Sequence, residues 1–182
     1  SWLIFVQIAS ELIKQVLVLQ DFETWSITHK HYLPPEYHSL YTIIDNHCEN
    51  FHKMPTIEDL KFEIRDKNTR EKLFAIDEIN VEAEPFMLLQ YLKNEYTQKE
   101  ILTSLTDYVE NSIAFENAEE SIGHLHEIVL SVENRVDLQD PSESMQSITL
   151  HEKDEDIAKY IPLGLNAEYD YDIQFSPRDL IM

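Results

Sequence analysis

The residues with the chemistry to bind metal or move protons are few and scattered. His29-x-His31 and His124-x-His126 are imidazole pairs, and His47, Cys48 and His52 stand close together. A metal site needs three or four ligands converging on one ion. His124 and His126 fall in a stretch of helical periodicity, where residues two apart point to different sides, so that pair does not chelate one ion easily. His29 and His31 lie in a loop with no further ligand near in sequence. Cys48 falls on the apolar stripe of a predicted helix and reads as a core thiol. Further on, Glu168, Asp170 and Asp172 alternate with Tyr169 and Tyr171. Acid–base work by such carboxylates needs a pocket and a raised pKa, and a solvated loop is the expectation. There is no G-x-S-x-G, no zinc pattern and no nucleophile with its base. No catalytic residue, cofactor-binding residue or metal ligand is therefore assigned in this chain.

Composition narrows the classes further. The 182 residues are 43% hydrophobic, enough for a core, and contain only two glycines, Gly123 and Gly164. So few glycines argue against hairpin-rich β architectures and against a glycine-rich phosphate loop. The single cysteine excludes an internal disulfide framework and suits a reducing compartment. With 35 acids against 14 bases, the net charge is −21. Gripping a phosphate backbone takes clustered Lys and Arg, so this chain is a poor direct ligand for DNA. A basic protein partner suits it better.

The elements that must carry these residues read as helices. Trp2 to Leu19 is strongly apolar, but no positive segment precedes it. Its polar residues, Gln7, Ser10, Glu11, Lys14 and Gln15, recur at i, i+3, i+4, i+7 and i+8 and form one narrow stripe. A membrane span would be heavily penalised by Glu11 and Lys14, so the spacing predicts a helix buried on most of its surface. Leu33-Pro34-Pro35 sets up a second helix carrying Tyr37, Leu40, Tyr41, Ile44, Cys48 and Phe51. Lys53-Met54-Pro55 stops it. Thr56 is placed to cap the next, which buries Ile57, Leu60 and Ile64. A short helix over about 69–79 follows.

Two longer helices come next. One is predicted from Glu84-Pro85 to about Ala114, roughly 45 Å if continuous at about 1.5 Å per residue. Leu88, Leu92, Tyr96, Ile101, Leu105, Tyr108 and Val109 form its apolar seam. Asn117 is placed to cap the other, which ends near Arg135. The short break between them implies an antiparallel helical hairpin over about 84–135. Ile122, Leu125, Ile128, Val129 and Val132 cover a wide arc of the last helix. A hairpin cannot bury so much by itself. It must pack on the head or on another subunit, and these five residues are the candidate subunit interface. From Val136 the composition changes: Asp140-Pro141-Ser142-Glu143-Ser144 is linker chemistry, and residues 137–182 hold eleven acids and three bases.

Three stretches, taken in order, have a precedent. Glu36 to Ile64, EYHSLYTIIDNHCENFHKMPTIEDLKFEI, comes first; Ile161-Pro162-Leu163-Gly164 follows the linker; Phe175-Ser176-Pro177-Arg178-Asp179-Leu180-Ile181 comes last. A helical head, hairpin, linker and this apolar entry resemble the DnaB-like replicative DNA helicases, especially phage versions. In that family an I-P-T-G-like entry leads into the motor domain, through a G-x-x-x-G-D-L-type turn and an apolar strand to the phosphate loop. Here Leu163 and Arg178 depart from that pattern. The resemblance implies a mainly α chain: a collar domain over 1–135, an acidic linker over 136–159, and the truncated start of a RecA-like ATPase domain over 160–182. It also implies an oligomerisation and partner-docking role in a hexameric ATP-dependent helicase. Self-association from dimer to hexamer is expected, with primase or a helicase loader as partner, DNA contacted through the motor domain, and a cytoplasmic location. ATP and Mg belong to the parent helicase, whose phosphate loop is expected beyond Met182, so this chain alone is expected to be inactive. The alternative is a free-standing acidic helical adaptor or inhibitor of replication proteins.

Overall fold

The computed structural model describes residues 2–136, which form helices and turns without a strand. The element order is α1 (Trp2–Val18), α2 (Phe22–Ser26), α3 (His38–Phe51), α4 (Ile57–Glu63), α5 (Lys67–Asp77), α6 (Pro85–Asn111) and α7 (Ala118–Val136). Short 3-10 turns occupy Lys30–Tyr32, Pro35–Tyr37 and Ile113–Phe115. The linker and motor-domain expectations over 137–182 lie outside the described residues.

Local chemistry sets the helix ends. Thr56 Oγ1 accepts from the Asp59 N–H at 2.9 Å and Asp59 returns a bond to the Thr56 N–H at 2.9 Å, a complete capping box that starts α4. Asp66 caps α5 by accepting from the Thr69 N–H at 2.9 Å. Asn117 and Glu120 form the equivalent box at α7, both bonds at 2.9 Å. The stop of α3 differs from the sequence expectation. His52 adopts a left-handed conformation at φ 57° and its N–H bonds to Cys48 O, so the helix ends before Lys53-Met54-Pro55 is reached.

The head is built around α1. From Ala9 to Leu17 it is enclosed by α5 and α6, with Ala9, Leu12, Ile13 and Val16 fully buried. Its polar stripe is used rather than wasted. Lys14 Nζ donates to Asp77 O at 2.6 Å, and Gln15 Nε2 donates to Ala83 O at 2.7 Å, fastening the α5–α6 connection. Burial does not extend to the first turn, where Trp2, Leu3 and Ile4 are exposed. Around α1 lie Trp25, Tyr32, Leu40, Ile44, Leu60, Leu73 and Ile76, all within one core. Removing a fully buried leucine from such a core costs about 2–5 kcal/mol.

The hairpin does not begin as a separate body at residue 84. The first half of α6 belongs to the head, since Leu88, Leu89 and Leu92 join the same core. Only the second half leaves it to pair with α7. One helix of 27 residues, roughly 40 Å long, thus ties hairpin to head without a joint.

Candidate assembly and docking surface

The hairpin is held at both ends by polar contacts. At the far end Glu116 uses both carboxylate oxygens: Tyr108 Oη donates to Oε1 at 2.9 Å, and His124 Nδ1 lies 3.0 Å from Oε2. The rings of Tyr108 and His124 pack at 4.4 Å. The bond to His124, with that from Tyr108 behind it, holds the Glu116 carboxyl below the usual carboxylate range. At the near end Arg135 pairs with Glu100 at 2.7 Å, while its backbone carbonyl lies 2.9 Å from His31 Nε2. Tyr32 Oη donates to the carbonyl of Val136. The end of α7 is therefore returned to the head.

These contacts fix the register, with Tyr108 opposite His124 and Glu100 opposite Arg135. At helical spacing, Ile101, Leu105 and Val109 then fall on one flank of α6 beside the seam, and Ile122, Leu125 and Val129 on one flank of α7. The two helices run in opposite directions, so both flanks fall on the same broad side. All six residues are exposed.

The five interface candidates are consequently divided. Ile122, Leu125 and Val129 are 60%, 41% and 55% exposed. Ile128 is half-buried, and Val132 is buried at 5% exposure, so it serves the hairpin's own packing rather than an outer surface. The three α6 residues belong to the predicted seam, but of that seam the hairpin half of α6 buries only Tyr108. The charge of this region is one-sided. Residues 100–134 contain eight acids and no Lys or Arg. That absence is visible in sequence and gains meaning only once both apolar flanks fall on one side of the hairpin.

Most of the residues singled out for metal or thiol chemistry have structural employment. His29 and His31 stack at 5.2 Å beside Tyr32 and Tyr96. His47 Nδ1 lies 2.7 Å from Glu63 Oε2. The Cys48 thiol donates to Met54 Sδ at 3.6 Å, and burial pushes its pKa up to about 11. His52 and His126 point outward. Among the described residues no group of three or more His, Cys, Asp or Glu could hold a metal ion. None of their helices is long and apolar enough to cross a membrane. Glu168, Asp170 and Asp172 lie outside the described residues. No protein-family model, curated protein or solved structure matches this chain.

Proposed function

We propose that this chain is the amino-terminal oligomerisation and partner-docking region of a hexameric, ATP-dependent replicative DNA helicase of the DnaB-like class. The observation that carries the assembly role is the apolar side of the hairpin left open among the described residues: Ile122, Leu125 and Val129 on α7 and Ile101, Leu105 and Val109 on α6 are all exposed, and helical spacing puts both sets on the same side. Six exposed aliphatic side chains on one side of a rigid hairpin leave apolar area that a second protein surface would remove from water. The helical head and hairpin occur in the order that the resemblance implies, followed by Ile161-Pro162-Leu163-Gly164 and the strand approach ending in Leu180-Ile181.

In this reading the hairpins pair subunits into a cytoplasmic collar, and the head receives primase or a loader. ATP, Mg and DNA are handled by the motor domain. Extending the coding frame past Met182 tests the helicase assignment. A G-x-x-x-x-G-K-[ST] loop shortly after Leu180-Ile181-Met182 is the expected result, because that loop follows the first motor strand. A frame that closes, or continues into an unrelated sequence, would refute it.

A further inference from the structure

A second apolar surface, open among the described residues, lies on the head. The first turn of α1, the Leu33-Pro34-Pro35 run and the middle of α6 enclose a groove of about 420 Å³. Its apolar wall consists of Trp2, Phe5, Tyr96, Leu33, Pro34 and Pro35. Trp2 is 54% exposed, and its ring lies 5.5 Å from that of Phe5. Tyr96 is held by His31, ring to ring at 4.7 Å. The carboxylates Glu95 and Glu100 and the ammonium of Lys99 line the same groove. Glu100 is engaged by Arg135, which leaves Glu95 as the acid open to a ligand.

We infer that this groove binds an extended, proline-bearing segment of a partner protein that carries Arg or Lys. The walls are helices and prolines, which offer no free strand edge, so backbone pairing cannot supply the affinity. Aromatic side chains such as Trp2, Phe5 and Tyr96 recognise a polyproline-type helix by packing on its rings, with little ordering cost to the ligand. A neighbouring carboxylate and exposed aromatic faces then favour a cation, by ion pairing and by cation–π attraction. The whole chain's charge of −21 steers the same kind of partner.

The chain carries its own reporter. Of its two tryptophans, Trp25 is 2% exposed in the core and Trp2 lies in the groove. A synthetic proline-rich peptide containing two arginines, titrated into the full chain, should shift and saturate the Trp2 emission. Glu95→Lys, an exposed change, should weaken binding about tenfold, near the worth of one close charge pair, with the circular dichroism unchanged. Lys99→Ala should tighten it. The same peptide with glutamate in place of arginine should not bind. Equal binding of the acidic peptide, or no saturable change with either, would overturn the proposal. So would tighter binding of a basic helical peptide. An emission shift that follows protein concentration alone would give the groove to a second copy of this chain.

Discussion

Glu116 closes the far end of the hairpin with one carboxylate shared by Tyr108 and His124. Its pKa is depressed in the fold, so its contribution is complete above the unfolded carboxyl value of about 4.3 and is lost as pH falls through the lower folded value. Hydrogen exchange at amides 112–124 should therefore accelerate as the pH is taken below the ordinary carboxylate range, after correction for intrinsic rates. Glu116→Gln should give the faster exchange already at neutral pH; unchanged protection in that variant would show that the tip does not need the carboxylate. Leu89 stands at the other extreme, 1% exposed where α6 crosses the head. Leu89→Ala should lower the unfolding free energy by about 2–5 kcal/mol in denaturant titration. A loss below about 0.5 kcal/mol, typical of surface changes, would place Leu89 outside the core.

Among the elements, much is legible in the sequence itself. Thr56 and Asn117 announce their helices because an N-cap is a local signal carried by one residue and the next three. The apolar periodicities of α1, α3 and α7 are local too. What periodicity cannot say is which neighbour covers a stripe. Leu88 and Leu105 lie in the same predicted seam, yet the first is buried in the head and the second is exposed on the hairpin. Val132 and Val129 part in the same way, because the register set by Tyr108–His124 and Glu100–Arg135 turns one inward and the other out. The short α2 is announced only by its Asp21 cap, which accepts from the Thr24 N–H at 3.0 Å, and the groove at Trp2 has no local signal. Two substitutions test the helix chemistry. Thr56→Ala removes half of a capping box and should cost about 1 kcal/mol. Gly123→Ala should stabilise α7 by about 0.5–1 kcal/mol, because an added Cβ there meets nothing within 4 Å and glycine is costly in a helix interior. Destabilisation by Gly123→Ala would mean that something packs against that position.

For the whole molecule, apolar attraction and charge oppose each other. Pairing two hairpins through Leu125 and Val129 brings together two regions that each hold eight acids and no Lys or Arg over residues 100–134. Salt screens such repulsion, with a Debye length of about 10 Å at 0.1 M. Self-association should thus tighten between low and high salt, whereas docking of a basic partner should weaken. Association that loosens steadily with salt would mean that attraction between opposite charges drives it. The central claim is that the hairpin's apolar side joins subunits, and sedimentation equilibrium of the native chain beside Leu125→Asp/Val129→Asp tests it most directly. Both positions are exposed in the single chain, so the double variant should keep its helical circular dichroism. Two carboxylates buried without partners in a shared interface would be strongly unfavourable. The native chain should be an oligomer and the variant a folded monomer. A native chain that stays monomeric at high concentration, or a variant whose mass is unchanged, would contradict it.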